Sequence, residues 1–245
     1  MSTRRRTPRS DGESTRARIL EVAGRLFAQH GYANTASKAI CEEAGADLAA
    51  INYHFGSRDA LYKAVLVEGH KQFVSLHDLR ELADSALPPE TKLERFINAI
   101  VSRLLDDRSW QSKVCAREIL APTAHFASLI REEVMPKFEA LERIIGEITG
   151  LPRHDPALSR CVISIIAPCL MLMVIDRDQS SPMQAILLHD ADALKNHLNL
   201  FARSGLCSAA RNSSACCAIN PTRLVFQWWK RNFRIARRVP PGYPN

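Results

Sequence analysis

The sequence predicts an all-α protein, with an N-terminal three-helix domain followed by a larger helical domain. Three observations support this fold class. Apolar residues recur at helical spacing along most of the 245-residue chain, runs of alternating Val, Ile and Thr are absent, and only 10 residues are glycine. A hydrophobic content of 46% is sufficient for a packed core. The length suits one large domain or two modest ones.

The first two helices are delimited by capping signals. Helix one is expected from about Ser14, because its apolar residues fall on one face, and Gly31 ends it. Asn34 or Thr35 can cap a second helix over 37–44.

The third predicted helix, 47–55, has only about two turns. Gly45 joins it to helix two, Gly56 ends it, and Ser57 can cap a fourth, longer helix. A hydrophobic core rarely needs such a short helix. Two short helices joined by a tight turn have helix-turn-helix spacing, in which the second helix enters the major groove of DNA.

Prolines divide the rest of the chain. Helices are expected over 90–105 after Pro88 and Pro89, and then over 110–120, 124–149, 156–175 and 183–202. Pro136 is expected to kink the longest of these.

Composition favours a binding protein over an enzyme. The net charge of +7 equals the charge of residues 207–245, which hold 7 basic and no acidic side chains, so it is weak evidence for nucleic-acid binding. The 7 cysteines contain no CxxC pair, and no Ser/His/Asp set or phosphate loop has a recognisable spacing. We expect no metal, no cofactor and no catalysis.

The lack of a recognisable targeting signal predicts a cytoplasmic protein. The N-terminus is basic and polar without an apolar core of a signal peptide. The longest apolar run, 161–175, is short for a membrane span.

Two segments carry a family resemblance. "ICEEAGA", 40–46, and "YHFGSRDALY", 53–62, resemble the DNA-binding domain of TetR-family repressors, and the resemblance covers about 14–66. It implies phosphate contacts at helix two, at the aromatic-histidine pair and at the start of helix four, here Thr35, Ser37, Lys38, Tyr53, His54 and Arg58. It implies base-edge contacts from Ala46, Asp47, Leu48, Ala49 and Asn52.

The recognition segment offers few polar side chains. Asp47 could accept a hydrogen bond from cytosine, or it could simply favour the N-terminus of its helix. Specificity could therefore depend on DNA shape and on a basic arm, 1–13, whose arginines are Arg4, Arg5, Arg6 and Arg9. A solvated, disordered arm is the alternative.

The segment 116–151 resembles the C-terminal domain of the CecR-type branch of the family. This implies that 67–206 binds a small-molecule effector and that the last two helices form a homodimer interface. Candidate pocket residues are Cys115, Arg117, His125, Phe126 and Met171. Ordinary surface, core or dimer packing is the alternative for each of them.

The tail, 207–245, resembles nothing in the family. It is either a largely disordered extension or, over 224–238, a basic amphipathic helix for a membrane surface or DNA. The sequence as a whole predicts a cytoplasmic, nucleoid-associated homodimer that binds double-stranded operator DNA, a repressor released by its ligand. An activator, an architectural DNA binder, or a helical carrier or enzyme are the alternatives, and no membrane partner is expected.

Overall fold

The computed structural model describes residues 8–106, 109–175 and 190–212. Within these ranges the chain is helical without strands, which confirms the all-α prediction. The helices are α1 (Pro8–His30), α2 (Ser37–Ala44), α3 (Leu48–Phe55), α4 (Arg58–Phe73), α5 (Leu76–Asp84), α6 (Pro89–Asp106), α7 (Trp110–Leu120), α8 (Phe126–Leu129), α9 (Met135–Thr149), α10 (Pro156–Val174) and α11 (Ala191–Asn212).

The N-terminal domain consists of α1, α2, α3 and the first turns of α4. Its core is formed by fully buried side chains from each of these helices: Ile19, Phe27, Ile40, Ile51 and Leu61. Burial of such side chains stabilises a domain by about 1.5–3 kcal/mol each. The short helices are therefore held by tertiary packing, because two turns of helix are marginal alone.

The predicted turns between the short helices are confirmed. Gly45 ends α2 with φ of 56° and Gly56 ends α3 with φ of 84°. Both angles lie in the left-handed region that glycine adopts without steric cost. Ser57 caps α4 as predicted, since its Oγ accepts a hydrogen bond from the Ala60 amide at 3.1 Å.

Helix α1 begins earlier than expected, at Pro8, so residues 8–13 are helical rather than a disordered arm. Arg4, Arg5 and Arg6 lie outside the described residues, as does the side chain of Arg9.

The sequence reasoning missed α5. Ser75 caps this helix, with its Oγ 3.4 Å from the Asp78 amide, while Leu79 and Ala83 are buried on one face. The spacing of Ser75 and Asp78 ahead of apolar residues is a helix-start signal that would have predicted it.

The C-terminal domain packs α6, α9, α10 and α11 together, with α7 joining them to α1 and α4. Its core includes Leu93, Ile97, Ile144, Ile145 and Val162. The distortion expected near Pro136 takes the form of a π-helical turn, Ile130–Val134, between α8 and α9. Proline lacks the amide that would continue the regular ladder, so a wider turn can precede it.

The last described helix does not match its predicted limits. It begins at Ala191 and continues to Asn212, past the expected end of the domain at 206. Residues 183–189 of the prediction and 213–245 of the tail lie outside the described residues. Helix α10 is long and apolar enough to cross a membrane by length and composition, although such a helix is weak evidence for a span. In this fold one face of α10 belongs to the core, through Leu158, Val162, Ile165, Cys169 and Leu172.

A basic pair, His70 and Lys137, joins α4 to α9. Lys137, which is buried, has its Nζ 2.7 Å from Nδ1 of His70 and 3.4 Å from a carboxylate oxygen of Glu133. Burial, and then the charge of Lys137, lowers the pKa of His70 to about 4. Burial also lowers the pKa of Lys137. A protonated His70 would be desolvated beside a second cation, so the folded protein favours the neutral ring.

Acid should therefore weaken the fold through His70. In the unfolded chain His70 is protonated near its ordinary pKa of about 6.5, whereas in the folded chain its pKa is about 4. Between these values the unfolded state binds more protons, so the stability falls as the pH drops from 6.5 towards 4. We expect about 2 kcal/mol less stability at pH 5 than at pH 7 from this residue. Denaturant unfolding should show a smaller pH effect in His70→Gln, whereas His77→Gln, on the exposed face of α5, should behave as wild type. Equal pH effects in all three proteins would contradict the assignment.

Candidate nucleic-acid interface

Helix α3 presents a mixed apolar and polar face to solvent. Tyr53 is 85% exposed and Leu48 is 55% exposed, although both are large side chains that a core would normally take up. Ala49 and Asn52 are also exposed, and Ala46 is half-buried. The opposite face carries the buried Ile51. One face of the helix is therefore held by the core, and the other is open to solvent, as binding in a DNA groove requires.

Asp47 caps α3. Its Oδ1 accepts a hydrogen bond from the Ala50 amide at 2.7 Å, and its backbone is extended. Of the two interpretations that the sequence left open, the structure supports the one in which Asp47 stabilises the N-terminus of its helix. Replacing such a cap by alanine typically costs about 1 kcal/mol.

Several of the proposed phosphate contacts are accessible to solvent. Lys38 is exposed at the start of α2, and its Nζ is 3.8 Å from Glu42 in a solvent-accessible pair. Ser37 and His54 are half-exposed. The His54 ring packs edge-on against Tyr53, with 5.0 Å between ring centroids. These side chains can reach a ligand without breaking a buried contact.

Thr35 lies inside the domain instead. It is 2% exposed, and its hydroxyl donates to the carbonyl of Gly31 at 2.8 Å. The hydroxyl therefore closes the turn after α1. A phosphate contact from it would first have to break this buried bond.

Arg58 is also engaged within the protein. Its Nε donates to the carbonyl of Thr35 at 3.0 Å, and its Nη2 donates to the carbonyl of Tyr32. The guanidinium carbon lies 4.1 Å from the centroid of the Tyr32 ring. A planar, forked cation suits this combination of two carbonyls and an aromatic face.

An aromatic cluster that the sequence did not reveal continues from this point. The Tyr32 ring contacts Tyr62 of α4 at 4.7 Å between centroids and His125 at 5.3 Å, and Phe27 packs edge-on against Tyr62 at 4.8 Å. His125 belongs to the segment between α7 and α8, so the cluster spans both domains. Its members come from distant parts of the chain, and no local pattern brings them together.

Glu118 fixes the far side of this cluster. It is 1% exposed and accepts hydrogen bonds from the Tyr62 hydroxyl at 2.6 Å, the Thr123 amide at 2.9 Å and the Thr123 hydroxyl at 2.7 Å. Burial, and then the bond to Glu118, raises the pKa of Tyr62. Tyr62 therefore stays protonated to higher pH than an ordinary tyrosine.

The structure places the five candidate pocket residues in different surroundings. Arg117 is exposed, and its guanidinium donates to the carbonyls of Ala28 and Gln29 at the end of α1, at 3.3 and 3.1 Å. His125 belongs to the aromatic cluster. Cys115 is buried beside Gly69, Phe126 is half-buried, and Met171 is exposed on α10.

A groove of about 720 Å³ opens elsewhere, between α1 and α7. None of the five candidates lines it. Its walls are Glu21, Arg25, Ala28, Gln29, Ser109, Trp110, Gln111 and Lys113.

Two protein families match separate parts of the chain. Residues 19–65 match the family described as bacterial regulatory proteins, tetR family. Residues 89–206 match the C-terminal domain of the HTH-type transcriptional dual regulator CecR.

Individual proteins support this result. CecR of Shigella flexneri is 28% identical over 154 residues, which cover 59% of this chain and 69% of that protein. TtgR of Pseudomonas putida is 31% identical over 104 residues, 42% of this chain and 50% of that protein. The crystal structure of FadR from Bacillus subtilis in complex with stearoyl-CoA has a TM-score of 0.60 at 19% identity, covering 77% of this chain and 98% of FadR, which shows a shared fold.

The fold and the exposed recognition helix define a helix-turn-helix, DNA-binding transcriptional regulator. The chain belongs to the TetR family, and its C-terminal domain is of the CecR type.

Proposed function

We propose that this regulator is a cytoplasmic, homodimeric repressor that binds a near-palindromic operator and leaves it when a small molecule binds the C-terminal domain. The observation that carries the proposal is the exposed face of α3, where Leu48, Asn52 and Tyr53 project from a helix whose back is buried. Such a surface has no role in folding, since it places two large side chains in water.

Two sets of contacts would act on DNA. Phosphates would be bound by Ser37, Lys38, Tyr53 and His54, whose side chains are exposed or half-exposed. Base edges would be contacted by Leu48, Ala49 and Asn52, with Ala46 and Asp47 beside them. Apolar side chains can pack on thymine methyl groups, and each good contact discriminates by about 1–3 kcal/mol.

Dimerisation is supported by two exposed apolar faces. On α10, Ile163, Ala167 and Met171 are exposed at a spacing of four residues, which places them on one stripe. On α11, which packs against α10, Leu200 is 68% exposed and Phe201 is 64% exposed. A second copy of the chain would bury both faces by a two-fold contact. It would also place two α3 helices on successive major-groove faces.

Ligand release requires that the effector bind one dimer geometry more tightly than the other. The FadR crystal structure is of a complex with stearoyl-CoA, so a protein of this fold binds an acyl-CoA. For the present chain we propose a small molecule in the C-terminal domain without assigning its class. Activation is the second candidate, because the relative CecR is named a dual regulator.

Selection of bound duplexes from a random pool tests the DNA-binding proposal. Wild-type protein should enrich an inverted repeat. Tyr53→Ala should weaken binding to that repeat about tenfold or more, because hydrogen bonds to charged groups contribute about 1.5–3 kcal/mol. Lys38→Ala should lower the slope of log K against log salt by about 0.9 for each phosphate that is no longer bound.

Lys71→Ala is the matched control, since Lys71 is exposed on α4 away from α3. Its operator affinity should stay near that of wild type. If the wild type enriches no sequence, the proposal of sequence-specific DNA binding is wrong. If Tyr53→Ala binds the repeat with wild-type affinity, Tyr53 does not contact DNA.

Charge on α11 should disrupt the dimer. We expect Phe201→Glu to sediment as a monomer at concentrations where wild type is a dimer, because the carboxylate would be desolvated in the interface. Gln72→Glu, at an exposed position of α4 and so outside α10 and α11, should remain dimeric. A dimeric Phe201→Glu would show that a different surface associates.

A further inference from the structure

We propose that Arg58 is a positioning residue that holds the start of α2 in place. The position of Arg58 depends in turn on Tyr32, and through Tyr32 on the segment between α7 and α8. This differs from the phosphate contact that the family resemblance implies for Arg58. The proposal rests on the proposed function only where it concerns DNA affinity.

The first step is the geometry of Arg58. Its Nε and Nη2 are committed to the carbonyls of Thr35 and Tyr32, which bracket the turn between α1 and α2. Thr35 in turn closes this turn from inside through its hydroxyl. The guanidinium therefore connects the first residue of α4 to the backbone that immediately precedes Ser37 and Lys38. A lysine has one nitrogen and cannot reproduce the fork.

The second step is Tyr32, whose ring contacts both the Arg58 guanidinium and His125 of the C-terminal domain. Its hydroxyl donates to Asp59, and this bond, followed by burial, raises the pKa of Tyr32. The ring contacts His125 and Tyr62. Any displacement of His125 would change the support of the ring on which Arg58 rests.

The third step fixes His125. Its amide donates to the hydroxyl of Thr123 at 3.2 Å, and Thr123 donates two bonds to the buried Glu118 of α7. A continuous set of contacts thus runs from α7, through Thr123, His125 and Tyr32, to Arg58 and the start of α2. Packed contacts of this kind have few alternative arrangements, so they transmit displacement.

Conservative substitution separates positioning from phosphate binding. We expect Arg58→Lys to lose operator affinity about as strongly as Arg58→Met, roughly tenfold, because both lose the fork. A phosphate contact predicts instead that Arg58→Lys binds nearly as wild type. It also predicts that Arg58→Met lowers the salt slope by about 0.9 for each phosphate that is no longer bound. Either of these two results would overturn the proposal.

The link to His125 is tested by a double-mutant cycle on operator affinity. The loss in Arg58→Lys combined with His125→Ala should be at least about threefold smaller than the product of the single losses, since both break the same set of contacts. The pair Lys38→Ala and His125→Ala should multiply independently. Independent effects of Arg58 and His125 would refute the link.

A measurement without DNA keeps the proposal testable if no operator is found. Amide hydrogen exchange in residues 35–44 should be at least about fivefold faster in His125→Ala and in Arg58→Lys than in wild type, because local opening becomes easier. The exposed His77→Ala should match wild type. Unchanged exchange in His125→Ala would overturn the proposal whatever the DNA result, and failure of DNA binding alone would count against the proposed function only.

Amides of α9 serve as the internal reference in this experiment. Their protection would fall as well in a variant that unfolds as a whole. His125→Asn would then replace His125→Ala, with the same expected exchange and the same result counting against the link.

Discussion

Glu118→Ala should destabilise the protein by about 3 kcal/mol. The substitution leaves the Tyr62 hydroxyl buried without its acceptor and removes the partner of both Thr123 donors. A buried donor that loses its partner costs about 1–3 kcal/mol, and the deleted side chain adds a cavity. Denaturant unfolding monitored by circular dichroism measures the change.

Two variants show which part of the effect belongs to the hydrogen bonds. Tyr62→Phe removes one donor and leaves the carboxylate with Thr123, so its cost should be smaller. Glu94→Ala, at an exposed position of α6, should change stability by less than about 0.5 kcal/mol. A Glu118→Ala protein as stable as Glu94→Ala would mean that Glu118 does not hold α7 to α4.

Gly24→Ala should cost about 2 kcal/mol, although alanine is the better helix former. A methyl group at Gly24 would lie 2.5 Å from two atoms of the Trp110 ring, where no carbon contact is tolerated. The indole is itself held, since its Nε1 donates to Glu21 at 2.8 Å. The ring and α1 must therefore separate, and overpacking of this kind costs about 1–3 kcal/mol.

Gly146→Ala is the matched control for Gly24→Ala. A methyl group there meets nothing closer than 3.6 Å, so the gain in helix propensity should leave the protein as stable as wild type or more so. Unfolding midpoints of the two variants should therefore move in opposite directions. A shift of both in the same direction would contradict the close contact between α1 and α7.

The two substitutions act on neighbouring contacts between the domains. Trp110 and Arg117, near opposite ends of α7, both bind α1, and Glu118 binds α4. The α7 helix thus provides several of the contacts that join the C-terminal domain to the DNA-binding domain. We expect Gly24→Ala to alter operator affinity as well as stability.

Sequence patterns were sufficient wherever a structure depends on neighbours in the chain. Gly45 and Gly56 end their helices and Ser57 caps α4, because each depends on residues within one turn. The missed helix α5 had such a local signal too, at Ser75. Patterns could not place Arg117, which lies 88 and 89 residues from the carbonyls that it binds.

The sequence by itself determined the all-helical class, the helix-turn-helix and the family, since these follow from periodicity, caps and a short contiguous motif. Only the tertiary structure decided which way the polar side chains point. It turned Thr35 inward, gave Arg58 two carbonyls and an aromatic ring, and placed His125 against Tyr32 at the contact between domains. The physical reason is that a side chain's partner is set by which distant backbone and rings the fold brings within hydrogen-bond reach, and a linear spacing does not contain that information.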